Sequence, residues 1–181
     1  MAPQNRKLRT LEMKRLTADE FREAEKTPLV VVLDDVRSMY NVGSIFRTAD
    51  AFRLKEVCLC GITGQPPNNE IHKTALGAED SVAWRYFATA SEAVDCLHNE
   101  GYKVFAVEQC EGSIMLHELD VLPSEEGIAV VLGNEVKGVH QEVIYQCDGC
   151  LEIRQYGTKH SMNVAVTAGI VIWEIFKRIK R

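Results

Sequence analysis

The chain contains no apolar run long enough to cross a bilayer, which takes about 18 to 20 residues, and no membrane span is expected. A secretory signal is missing as well. The first 25 residues carry Arg6, Lys7, Arg9, Lys14 and Arg15 among five acidic residues, with no apolar stretch between them. These absences point to a cytoplasmic protein. No G-x-G-x-x-G follows the first strand, the usual place for a dinucleotide. There is also no P-loop, no H-E-x-x-H and no G-x-S-x-G, which removes the commonest nucleotide, zinc-protease and serine-hydrolase readings.

Six cysteines are present, but they do not read as a disulfide framework. Cys58, Cys60, Cys96 and Cys110 sit in or beside apolar runs, where a free thiol behaves as a small hydrophobe. A chain of 181 residues can build a core without staples. Cys147-Asp148-Gly149-Cys150 has the spacing of half a zinc site, yet no second ligand pair follows at motif spacing. No metal is expected.

The net charge of -5 argues weakly against a nucleic-acid partner. Its distribution weakens that objection. Residues 79–126 hold eleven acidic side chains against Arg85 and Lys103, and the rest of the chain sums to +4. An acidic middle can coexist with a basic rim that touches phosphate, although an ordinary solvated surface explains the same counts.

Residues 1–16 read as a polar arm. Thr17 and Glu20 form a capping box that opens a short helix running to about Lys26. Leu29–Leu33 is a continuous apolar strand, as expected in a sheet covered on both faces. A helix is predicted over 41–52, because Val42, Ile45, Phe46, Ala49 and Phe52 share one face. A strand at 56–61, a loop at 64–69, a weak helix at 71–76 and a possible strand at 82–87 follow. Thr89 caps a helix that ends near Gly101, and 102–108 is a strand. Residues 110–126 carry a short helical turn and a stop at Leu122-Pro123-Ser124. A buried strand at 128–132, a short helix at 141–146, a last strand at 151–153 and a last helix from Met162 to about Lys177 complete the order.

This alternation predicts an α/β fold, a mostly parallel sheet with helices on both faces. The final helix is apolar nearly all round, from Val164 to Phe176. A surface helix would show a polar face. Either the monomer buries it, or a second subunit covers its outer side; the dimer is the favoured reading, since one small domain has little with which to wrap a helix.

Taken singly, the polar motifs are ordinary. Asn41-x-Gly43-x-x-x-Arg47 could be a loop and helix start, and Gly133 could simply end a strand. Together they are specific. Asn41-Val42-Gly43-Ser44-Ile45-Phe46-Arg47-Thr48-Ala49, Val131-Leu132-Gly133-Asn134-Glu135-Val136-Lys137-Gly138 and Leu151-Glu152-Ile153 through Ser161-Met162-Asn163-Val164 stand in order across residues 28–178. In these three motifs the chain resembles the SpoU-type, TrmH-like ribose 2'-O-methyltransferases of the SPOUT superfamily. It departs at Ile153-Arg154-Gln155-Tyr156-Gly157, where the family commonly has Ile-Pro-Met-x-Gly, and at Met162, where Leu is usual.

The resemblance implies a methyltransferase domain over 28–181, preceded by an arm over 1–27, with the C-terminal segment tied in a trefoil knot. It implies S-adenosylmethionine as cofactor, leaving as S-adenosylhomocysteine. The cofactor-binding residues would be Val107, Glu108, Leu132, Gly133, Asn134, Ile153, Gly157, Ser161 and Met162. It also implies a homodimer through the last helix. The catalytic set would be Arg47, Asn41, Glu135, Asn163 and Ser161. Arg47 would stand at the 2'-hydroxyl, and of Glu135 and Asn163 one would reach toward Arg47. Ser161 would also cap the last helix. A pKa above 12 makes arginine a poor base, so Arg47 is expected to stabilise the developing alkoxide. His160 is the alternative base. Lys73, Lys137, Lys159, Arg37 and Arg53 are candidates for phosphate contact. The substrate that the resemblance implies is RNA, with tRNA expected in preference to rRNA because 1–27 is short for an added RNA-binding domain. A SPOUT-like protein that binds RNA without catalysis is the alternative.

Overall fold

The computed structural model describes residues 5–120 and 127–179. Its centre is β1 (Thr27–Asp34). Leu29, Val31 and Leu33 point into one apolar core while Val30 and Val32 point into another, as the twofold period of a strand requires. A continuous apolar run is therefore what a sheet covered on both sides needs at this position. The remaining strands are β2 (Leu54–Cys60), β3 (Trp84–Phe87), β4 (Tyr102–Val107), β5 (Ile114–Met115), β6 (Gly127–Leu132) and β7 (Gly149–Glu152). They form one sheet in the order β3-β2-β1-β6-β4-β7-β5, and every pairing is parallel.

Helices cover both faces. On one side lie α1 (Ala18–Glu23), α2 (Met39–Ala51), α3 (Asn69–Ala75), α4 (Ala78–Ser81) and α7 (Val164–Ile179). On the other lie α5 (Ala90–Asn99) and α6 (Gln141–Gln146). β7 enters between β4 and β5, both earlier in the chain, so the C-terminal segment runs inside strands already laid down.

Most expected elements are present, with ends shifted by one to three residues. The Thr17–Glu20 capping box forms, but α1 stops at Glu23, because Ala24 turns extended. The motif helix starts at Met39, with the Ser38 hydroxyl accepting from the Asn41 amide. Three elements were not expected. A 3₁₀ turn spans Thr10–Met13 in the stretch read as an arm, α4 has four residues, and β5 has two just before the expected helical turn at Leu116–Glu118; none is long enough to show a period. The stop at Leu122-Pro123-Ser124 lies outside the described residues.

The last helix is amphipathic in a different sense from a surface helix. Val164, Ala168, Val171, Ile172 and Ile175 are buried against the sheet. Val166, Ile170 and Trp173 remain 55%, 39% and 50% exposed. Their i, i+4, i+7 spacing draws an apolar strip along the outer face, and Trp173 continues through Phe52 and Phe176 as a ring cluster. No helix among the described residues is long and apolar enough to cross a membrane.

Candidate active site

The site lies where the loops leave the C-terminal ends of β1, β4, β6 and β7, the edge at which parallel α/β sheets bind ligands. The loop after β6 is shaped by Asn134. Its backbone exchanges two hydrogen bonds with Gly138, at 3.0 and 2.9 Å. Its side-chain oxygen accepts from the amides of Val136 and Lys137, and its side-chain amide donates to the Asp35 carbonyl at 2.8 Å. Gly133 must be glycine here because a Cβ would stand 2.1 Å from the Gly138–Val139 peptide. The close approach at Gly133 is made by the chain's own loop.

That loop presents Glu135 to the start of α2. One carboxylate oxygen accepts from the Arg37 amide, the other from the Ser38 amide and the Asn41 side chain, all at 3.0 Å. Burial alone would push this carboxyl up; the amides of Arg37, Glu135 itself and Ser38, with Asn41, outweigh it and hold the pKa below the usual range. Asn41 in turn accepts from the Asn163 side chain at 3.1 Å. Asn163 closes the chain of bonds by accepting from the amides of Ala165 and Val166, which makes it the N-cap of α7. Three motifs therefore meet as Glu135–Asn41–Asn163.

Two expectations are corrected by this geometry. The cap of α7 is Asn163 and not Ser161, because the helix begins at Val164 and only residue 163 has the N-cap position. Neither Glu135 nor Asn163 reaches Arg47; both are engaged with Asn41.

Beside this network opens a cavity of about 900 Å³. Val107, Glu108, Leu132, Gly133, Asn134, Glu135, Ile153, Ser161 and Met162 all line it. Gly157 does not; it lies exposed on the outer loop, with nothing within 4 Å of where a Cβ would be. The lining also includes Gln141, Ile144 and Tyr145 from α6. No motif marked this helix, and only its place in the fold brings it here. Glu108, Glu111, Glu135 and Glu152 are among the lining residues, with Lys137 and His160. A cationic sulfonium ligand with polar groups suits such a lining. Glu108 also braces the loops, accepting from the amides of Gln109 and Val139.

Arg47 occupies other ground. It is exposed on α2 and lines a second cavity of about 490 Å³ with Ser44, Thr48, Ala51, Phe52, Lys73 and Thr74. No hydrogen bond or ion pair to a described residue engages it. Within one chain, then, Asn41 is tied to Glu135 and Asn163 beside the first cavity, and Arg47 is not among the residues lining it.

A further cluster carried no sequence signal. Asp34, buried at the end of β1, accepts from both the backbone and the ring of His140 at 3.0 Å. The Asp34 hydrogen bond and charge raise the His140 pKa. With Asp35 these side chains form a group close enough to hold a metal ion. Both Asp34 oxygens are already used by His140, so the group reads as a carboxylate–imidazole pair that pins the 133–140 loop to β1. All six cysteines are free, and burial pushes the Cys147 and Cys150 thiols up to about 12, as suits packing groups.

A model of the SpoU rRNA methylase family matches residues 28–173. Among similar proteins is the tRNA (guanosine(18)-2'-O)-methyltransferase of Thermus thermophilus, 29% identical over 90% of this chain and 81% of its own. Another is the 23S rRNA (guanosine-2'-O-)-methyltransferase RlmB of Coxiella burnetii, 27% identical over 86% of this chain and 60% of its own. The AdoMet-bound rRNA methyltransferase of Sinorhizobium meliloti superposes with a TM-score of 0.77 at 26% identity, covering 87% of this chain and 59% of that one. The chain belongs to the SpoU family of RNA methylases.

Proposed function

We propose that this protein transfers a methyl group from S-adenosylmethionine to a ribose 2'-hydroxyl of tRNA. The observation that carries the reading is the Glu135–Asn41–Asn163 network set against a large, carboxylate-lined cavity. The cofactor supplies an electrophilic methyl. Val107, Leu132 and Ile153 offer it apolar walls, and Glu108, Asn134, Ser161 and Met162 complete the lining. The protein's task is then to align the acceptor oxygen and favour loss of its proton.

Glu135 is a poor proton acceptor, since three donors already occupy it and depress its pKa. It serves to position Asn41. Arg47, without a partner among the described residues, is the group left to stabilise the developing alkoxide. The exposed strip Val166–Ile170–Trp173 supports a homodimer closed through α7. Phe52 borders the Arg47 cavity and packs on Trp173, which puts Arg47 next to the proposed interface.

Similarity to the tRNA (guanosine(18)-2'-O)-methyltransferase of Thermus thermophilus, at 29% identity, supports tRNA, and the rRNA-modifying relative of Coxiella burnetii, at 27%, keeps rRNA as the alternative. Arg6, Lys7, Arg9 and Lys14 of the arm add phosphate contacts that weaken with salt. Six free thiols suit the reducing cytoplasm. Mass spectrometry of nuclease-digested tRNA and rRNA, from cells with and without the gene, tests the reading. One 2'-O-methyl nucleotide should vanish from tRNA. Its loss from rRNA would reassign the substrate, and no loss from either would leave the non-catalytic alternative.

A further inference from the structure

The second cavity has a chemistry of its own. It lies between α2 and α3, and two cations line it, Arg47 and Lys73. Both are exposed, and no described residue pairs with either. The three hydroxyls of the groove are all turned inward. Ser44 donates to the Tyr40 carbonyl at 2.8 Å, Thr48 to the Ser44 carbonyl at 3.0 Å, and Thr74 to the Tyr40 carbonyl at 3.0 Å. With their protons committed to the backbone, what these oxygens offer the groove is lone pairs.

The spacing of the two helices is set by Gly43. A Cβ there would stand 2.2 Å from both the Ile71 carbonyl oxygen and the Thr74 hydroxyl. Only glycine lets α3 lie this close on α2, and that closeness puts Lys73 beside Arg47. The groove therefore pairs mobile cationic donors with fixed acceptors. A phosphodiester supplies the matching acceptor oxygens, and a ribose 2'-hydroxyl supplies a matching donor.

We infer that this groove is a ribose–phosphate subsite for the RNA backbone next to the methylated nucleotide, with Lys73 as its phosphate anchor. The inference rests on the methyltransferase reading for the identity of the RNA. Arg47 serves the reacting ribose, and Lys73 holds the neighbouring phosphate so that the ribose cannot slide away from it. Lys73 is a positioning residue, and its loss acts on RNA binding.

The test uses total RNA from cells lacking the gene, measured for direct binding by filter retention over a range of salt and, separately, for methyl transfer. Lys73→Gln should weaken RNA binding about 5- to 10-fold and make the log–log salt slope shallower by roughly 0.7 to 0.9, one phosphate's worth. Lys73→Arg should restore both. Lys55→Gln, on β2 outside the groove, should change neither. Wild-type binding and slope in Lys73→Gln would overturn the inference. If the wild-type protein transfers no methyl group yet binds RNA in a Lys73-dependent way, the catalytic reading falls and the subsite stands.

Discussion

Asn163 donates its side-chain amide to the side-chain oxygen of Asn41 across 3.1 Å, joining residues 122 positions apart. Both amides are held in one orientation. Asn41 gives its NH₂ to Glu135, a carboxylate that can only accept, so its oxygen faces Asn163. Asn163 gives its oxygen to the first amides of α7, so its NH₂ faces Asn41. A carboxylate at one end and a helix N-terminus at the other thus fix a bond that neither asparagine could fix alone.

Capping and bridging can be separated by substitution. Asn163→Ala loses both, and the lost cap costs about 0.5–2 kcal/mol. Asn163→Ser keeps a good N-cap but is too short to reach Asn41. The serine protein should melt close to wild type and the alanine protein clearly lower, while both lose most methyl transfer. Wild-type turnover in Asn163→Ser would show that the bridge has no part in the reaction.

The legible part of the fold was whatever buries apolar residues at a regular period. Leu29–Leu33 and the stripe from Val42 to Ala49 needed no partner to be read. β5 was invisible because Ile114 and Met115 form a strand only by pairing with β7. The site divides in the same way. Asn41, Arg47, Glu135 and Asn163 were marked by motif, but the motif did not say what each one touches. That Glu135 serves backbone amides at 37 and 38, and that Arg47 faces another groove, depends on where α2 ends up against α7 and α3. His140 and Asp34 carried no signal, being 106 positions apart and unremarkable in their own segments.

The His140–Asp34 pair should make stability depend on pH in a definite direction. The folded-state pKa of His140 is raised. Its contribution is therefore fully present below the unfolded-state value, near 6.5, and is lost as pH rises through the higher folded value. Melting temperature should fall across that alkaline-going window in the wild type. His140→Gln should flatten the fall, and differential scanning calorimetry at several pH values reads the difference. Asp35 and Glu142 also raise the His140 pKa, so Asp34→Asn should reduce the slope without abolishing it. Equal slopes in wild type and His140→Gln would remove the pair from the stability of the 133–140 loop.

Ile170 lies on the outer strip of α7 and is not part of the buried core. Ile170→Glu should leave the fold intact and place a charge where a second α7 would pack. Burying that charge unpaired in an interface is costly. Sedimentation velocity should show a monomer with native far-ultraviolet circular dichroism and little methyl transfer. A variant that stays dimeric would move the interface to another face.

Arg47 lines one chain's second groove, and the methyl donor is proposed to bind in the 900 Å³ cavity. Arg47→Ala should abolish turnover while leaving S-adenosylmethionine affinity nearly unchanged. Gly133→Val, whose added atoms collide with the Gly138–Val139 peptide, should lose cofactor binding. Each protein alone is then inactive. Mixed in equal amounts and allowed to exchange subunits, they form hybrids in about half of all dimers. If a site takes its arginine from the partner, every hybrid contains one cavity with an intact loop facing an intact guanidinium. Activity should return to about a quarter of wild type, one working site in two in half the dimers. If each site is complete within one protomer, every hybrid subunit carries a lesion and nothing returns. The mixing experiment therefore decides between the two arrangements by a rise from zero, a readout that small losses of stability in either variant cannot imitate.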